Sequence, residues 1–110
     1  MPGLAIQLPP PGPGQLIAAA APGGGAANAV QIVAPFVKIA AVATAADSVK
    51  LPMTYGGDQI FIQNQGAAAV TVWGFGGATI NGAASISQGA GLGALYIASM
   101  EGTWARFLQG

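Results

Sequence analysis

From residue 30 onward the chain is built from short runs in which apolar and polar positions alternate. Gln59-Ile60-Phe61-Ile62-Gln63 puts Ile60 and Ile62 on one face, and Val70 and Val72 oppose Thr71 and Trp73. In 36–42, Phe36, Lys38 and Ala40 alternate with Val37, Ile39 and Ala41. A period of two is the strand period, because successive side chains point to opposite faces. The same pattern predicts strands over 30–33, 36–42, 48–51, 59–63, 69–73, 84–87, 92–98 and 103–108. Short strands at roughly 8–12-residue spacing predict an all-β fold. The expected form is a small antiparallel β-sandwich or jelly-roll-like body over residues 30–110.

The residues between the runs agree. Gly56-Gly57-Asp58 precedes one strand, Asn64-Gln65-Gly66 separates two as a hairpin would, and Glu101-Gly102 separates the last two. Asn81-Gly82 suits a type I′ turn, in which both central residues need positive φ. The Ala-rich stretch 40–46 has helical propensity, but its β-branched neighbours and short length favour a strand.

Residues 1–29 are a different material. They hold six of the eight prolines, including Pro9-Pro10-Pro11 and Pro13, and the run Gly23-Gly24-Gly25. They carry no charge and no aromatic ring, and their large aliphatic side chains are Leu4, Ile6, Leu8, Leu16 and Ile17. Such a segment cannot bury enough of itself to form a core, and the proline run favours an extended polyproline II path. It is expected to be an extended N-terminal arm that binds a partner. Leu4, Ile6 and Leu8 would alternate along one contact face, with Pro9, Pro10, Pro11, Leu16 and Ile17 completing it.

Composition narrows the chemistry. The 110 residues include 18 Gly and 24 Ala, and charged residues are 5% of the chain, against a usual figure of roughly 25%. Three cations (Lys38, Lys50, Arg106) and three anions (Asp47, Asp58, Glu101) are too few and too balanced to grip a phosphate backbone, so no nucleic-acid partner is expected. With no His and no Cys there is no imidazole base, thiolate nucleophile or Cys-based metal site. No cation precedes Lys38, so no signal peptide is expected. The most apolar stretch, 29–46, contains Gln31, Pro35 and Lys38. A central Lys costs about 2.5–3.5 kcal/mol on insertion, which argues against a membrane span.

Candidate sites reduce to structural roles. Gly89-Ala90-Gly91-Leu92-Gly93 lacks the third spaced glycine of a dinucleotide loop, and Gly74-Phe75-Gly76-Gly77 lacks the Lys-Ser or Lys-Thr of a P-loop. The three carboxylates are isolated at strand starts and a turn, where acidic residues serve turn geometry rather than paired acid–base or metal chemistry. No enzyme activity, cofactor or metal is therefore expected. Trp73, Phe75, Tyr55, Tyr96 and Trp104 could line a sugar site, but packing is the default use of such rings.

The stretch from about residue 45 to 108 resembles a recurring segment of tailed-bacteriophage virion proteins. The residues that carry it are Gly57-Asp58-Gln59-Ile60-Phe61-Ile62-Gln63-Asn64, Gly66-Ala67-Ala68-Ala69-Val70-Thr71-Val72 and Ala78-Thr79-Ile80-Asn81-Gly82-Ala83-Ala84. Gly89 to Leu95 and Glu101-Gly102-Thr103-Trp104 follow. The resemblance implies a β-structured, oligomeric, non-enzymatic virion component. Joined to a core-poor arm on a low-charge β body, it leads us to expect a decoration (cement) protein on the capsid surface, a homo-oligomer with a trimer favoured, which binds the major capsid protein and clamps neighbouring capsid subunits with its arm. A trimeric head-fibre or tail-fibre module is the alternative, and a secreted sugar-binding β-sandwich using Trp73 and Tyr55 a further one. The chain's own physics agrees: nearly uncharged strands make poor free edges, and contact between subunits would cover them.

Overall fold

The structure, a computed structural model, describes residues 14–22, 25–54, 56–100 and 102–109. Ten strands form in chain order: β1 (Gln15–Ile17), β2 (Val30–Gln31), β3 (Phe36–Ile39), β4 (Ser48–Lys50), β5 (Gln59–Asn64), β6 (Val70–Trp73), β7 (Thr79–Ile80), β8 (Ser85–Gln88), β9 (Gly93–Met100) and β10 (Thr103–Gln109). One-turn 3-10 segments lie at Ala26–Asn28 and Phe75–Gly77. All eight expected runs contain a strand, so the all-β class is as the alternation predicts. β1 and β7 are additional, and both are too short to carry a readable alternation.

The strands form a six-stranded sheet in the order β1-β3-β5-β9-β10-β7 and a four-stranded sheet in the order β2-β4-β6-β8. From β1 to β6 the chain alternates between the two sheets, and every ladder among these strands is parallel. Gln15 lies beside Val37 and Val37 beside Ile62 in one sheet, while Val30 lies beside Val49 and Val49 beside Val72 in the other. Each turn of the chain is thus a flattened coil of roughly 20–25 residues stacked on the previous one, a solenoid-like arrangement. The C-terminal part closes it with antiparallel pairs: β8 on β6, β9 on β5 and β10 on β9, with β7 parallel to β10.

This corrects the antiparallel jelly-roll-like arrangement expected from strand spacing. Strands that follow one another face each other across the core instead of pairing. The Asn64-Gln65-Gly66 segment does not close a hairpin, since β5 and β6 belong to different sheets. The 40–46 stretch is neither strand nor helix beyond Ile39. It is a turn held by Asp47, whose carboxylate accepts from Ala43 N (2.9 Å), Thr44 N (3.3 Å) and Thr44 Oγ1 (3.0 Å). Asn81-Gly82 does form the expected tight turn, with φ of 51° and 84° and reciprocal bonds between Ile80 and Ala83.

The body also begins before residue 30. β1 adds to β3 as an edge strand, Ile17 is 4% exposed within the core, and its carbonyl accepts from Ala40 N at 2.9 Å. The core lies between the sheets. Ile17, Val37, Ile39, Ile60, Ile62, Tyr96 and Trp104 come from one, and Val49, Val70 and Val72 from the other. Where the chain turns between sheets, small residues let segments touch. A Cβ added at Gly66 would lie 2.8 Å from Val42 Cβ and closer still to its backbone nitrogen.

Three polar side chains sit fully inside this apolar body: Asn64, Gln88 and the Tyr96 hydroxyl. Asn64 Nδ2 donates to Ala68 O and Gln88 O, both at 3.0 Å, and its Oδ1 accepts from Gly66 N at 2.8 Å. Gln88 Nε2 donates to Ile62 O (2.9 Å) and Leu92 O (2.8 Å), and its Oε1 accepts from Tyr96 OH at 2.8 Å. Burial pushes the Tyr96 phenol well above its usual range, so it stays a neutral donor. The groups thus satisfy one another, as buried polar atoms must.

Gln88→Leu keeps volume but strips the acceptor from Tyr96 OH and a side-chain donor from Ile62 O, while Leu92 O keeps its bond from Asn64 N at 3.0 Å. We expect a loss of roughly 1–3 kcal/mol for each group left unpaired, read as a lower urea midpoint with an unchanged slope. Asp47 supplies a pH test. Burial acts to raise its pKa, but the hydrogen bonds from Ala43 and Thr44 outweigh this and hold it below the usual 3.8. A lowered folded-state pKa adds stability that is present above the unfolded value and lost as pH falls through the folded one. Thermal unfolding followed from pH 5 downward should therefore show an acid limb beginning near pH 4 that is weaker in Asp47→Asn.

Candidate assembly face

The two sheets present opposite kinds of surface. Because Val37, Ile39, Ile60, Ile62, Ala94 and Tyr96 point into the core, their neighbours must point outward. On the six-stranded sheet those neighbours include the apolar Phe36, Phe61, Leu95 and Ile97 beside Lys38, Gln59 and Gln63. Phe36 pairs with Phe61, Phe61 with Leu95 and Leu95 with Phe107. The four side chains therefore form one row across β3, β5, β9 and β10. Phe36 is 66% exposed, Phe107 56% and Leu16 67%, while Phe61, Leu95 and Ile97 are half-buried. The Phe36 and Phe61 rings are 6.1 Å apart and tilted by 41°. The Phe61 ring lies over Gly93, where an added Cβ would meet Cζ at 2.7 Å. A glycine in β9 thus lets the ring lie down on the sheet.

At the β1 end the row opens into a groove of about 540 Å³ lined by Gly14, Leu16, Phe36, Phe61, Gln63 and the stem of Lys38. Among the described residues of this face, Lys38 is the one charge. The outer face of the four-stranded sheet is polar by contrast, carrying Gln31, Lys50, Thr71, Trp73, Ser85 and Ser87. Thr71 Oγ1 donates to Ala45 O at 2.8 Å, Trp73 Nε1 donates to Ser48 Oγ at 3.2 Å, and Lys50 Nζ sits 5.3 Å from the centre of the Phe75 ring.

The residues expected to bind a partner divide. Leu4, Ile6, Leu8, Pro9, Pro10 and Pro11 lie outside the described residues. Leu16 faces solvent at the groove, whereas Ile17 is a core residue and is not free to meet a partner. Phe36, Phe61, Leu95 and Phe107 were not singled out by the sequence reading. Their signal was available in part: strands apolar at both parities, as in 94–98, are strands covered on both faces.

Elsewhere the carboxylates of Asp47 and Asp58 are committed to structure. Asp47 holds its turn, and Asp58 accepts a short hydrogen bond from Thr54 Oγ1, which also accepts from Gly56 N at 3.1 Å. Among the described residues no group of three or more His, Cys, Asp or Glu could hold a metal ion, and no helix is long and apolar enough to cross a membrane. Of the sugar-site candidates, Tyr55 lies outside the described residues, and Tyr96 and Trp104 are buried. Comparison with protein-family models, with curated proteins and with solved structures finds no match.

The double variant Phe36→Ser, Phe107→Ser removes the two most exposed rings of the row without touching the core. We expect its unfolding free energy to stay within about 0.5 kcal/mol of the parent for each substitution. Its retention on a hydrophobic-interaction column should fall sharply.

Proposed function

We propose that this chain is a non-enzymatic structural subunit of a repeating assembly, and specifically a decoration protein on a tailed-bacteriophage capsid. One observation carries the first part. A nearly uncharged sheet face, with Phe36, Phe61, Leu95 and Phe107 in a continuous row, is a surface that the described residues leave uncovered. Monomeric proteins rarely expose contiguous apolar patches beyond a few hundred Å². A flat apolar face backed by a polar one suits a molecule that lies on a larger body and shows its other side to water. The virion part is supported by the sequence resemblance over 45–108. In this reading the major capsid protein is the partner, and the chain is a homo-oligomer, with a trimer favoured, on the capsid surface. The N-terminal arm is, in this reading, the segment that ties the chain to its neighbours. Binding that needs the assembled lattice stabilises it by mass action.

A head-fibre or tail-fibre module is the second reading. The parallel stacking of β1 to β6 favours it, since stacked coils suit elongated parts.

The test is co-sedimentation with preassembled shells of the phage that encodes the chain. Decoration predicts binding to shells, not to unassembled capsid protein, at a copy number that follows the shell subunits. Phe36→Ser, Phe107→Ser should weaken it at least tenfold. A few copies per particle would favour the fibre module instead, and no association with any particle would overturn both readings.

A further inference from the structure

We infer that the groove beside Phe36 and Phe61 is the seat for residues 1–13 of a second copy of this chain, so that copies are linked by exchanged N-terminal segments. The inference rests on reading this sheet face as an assembly surface, and it names which neighbour takes the segment. It does not depend on the identity of the particle.

The first argument is chemical fit. The groove is lined by two aromatic rings, Leu16 and the stem of Lys38, and it has no acidic group among its lining residues. Residues 1–13 carry no charge, and they contain Pro9-Pro10-Pro11 and Pro13 next to the alternating Leu4, Ile6 and Leu8. Proline-rich segments dock in aromatic-lined grooves because their extended form costs little further order and packs ring against ring. The prolines suit the Phe36–Phe61 end. The aliphatic residues suit the continuation of the row over Leu95 and Phe107.

The second argument is reach. The row crosses four adjacent strands, about 14 Å at the usual strand spacing. Thirteen residues in polyproline II geometry extend about 40 Å. The segment can therefore leave one body, cross a gap and still cover the whole row of the next.

The third argument is direction. Gly14 lies against Phe36, where an added Cβ would be 3.0 Å from the Phe36 carbonyl oxygen and 3.5 Å from its Cβ. The segment is therefore joined to its own body at the mouth of the groove. The row runs across the strands, whereas β1 runs along them, so covering its own row would require the segment to turn sharply directly before Gly14. The equivalent groove of another copy makes no such demand.

The chain has no cysteine, so introduced thiols report without background. Gln7→Cys places one thiol in the segment, and Gln63→Cys places another at the exposed rim of the groove. When the two single variants are mixed and oxidised, a disulfide-linked heterodimer should be the main product. Each variant alone should give at least tenfold less dimer. Absence of the mixed product would overturn the inference. So would an intrachain link as the main product of the double variant Gln7→Cys, Gln63→Cys at low protein concentration.

Sedimentation velocity gives an independent readout. The full chain should self-associate, and removal of residues 1–13 or Phe61→Ser should weaken this at least tenfold while circular dichroism stays unchanged. Equal self-association without the segment would overturn the inference. Shell binding that persists when the cross-link fails would leave the proposed function standing without it. A cross-link that forms in a chain that binds no particle would do the reverse.

Discussion

The fold depends on the hydrogen-bonded contact between Asn64, Gln88 and Tyr96. A parallel coil has no natural end, since each turn offers free backbone groups to the next. Here the chain leaves the coil after β6 and returns antiparallel through β8 and β9. Asn64 ends β5 at that junction. Its amide nitrogen ties the 65–69 connection to the start of the return path, and Gln88 fastens Ile62 O to Leu92 O. Three side chains that would be costly if unpaired thus join the stacked part to the closing part. The apolar surroundings that make each bond strong also make every missing partner expensive.

Much of this was legible in the residues, and what was not has a physical reason. Alternation tells which side of a strand is buried, so the positions of β2 to β6 and β8 to β10 and their inward faces could be read directly. It does not tell which strand lies alongside. A sandwich and a two-sheet coil both place short strands at the same spacing, and the difference lies in pairings such as Val37 with Ile62. Asn64 looked like turn punctuation. Its real work is done in the interior, where a single sequence gives no sign that an amide will find four backbone partners. Ile17 sat in a segment whose composition says linker, yet three residues of edge strand suffice to bring it into the core. The Asn81-Gly82 turn was readable because its chemistry is local: two adjacent positive φ angles leave few residue choices.

The candidate face was half legible. Low charge pointed to a surface completed by something else, and that followed from composition alone. Where the surface lies did not, because Phe36, Phe61, Leu95 and Phe107 are far apart in sequence and meet only through ladders between β3, β5, β9 and β10. The proline-rich segment stands out by composition, whereas the row exists only through register.

The stacked design also sets how such a chain can change length. An insertion within a strand carries the core side chains that follow it in that strand to the wrong face, whereas one between strands loops out. A whole extra turn of roughly 20–25 residues leaves the register intact. It raises the stack by about 4.8 Å and lengthens the outer row by one position. Viable relatives of this architecture should thus differ in stack height by complete turns. The apolar strip should widen in step with the body, keeping contact area in proportion to the weight it must hold in place.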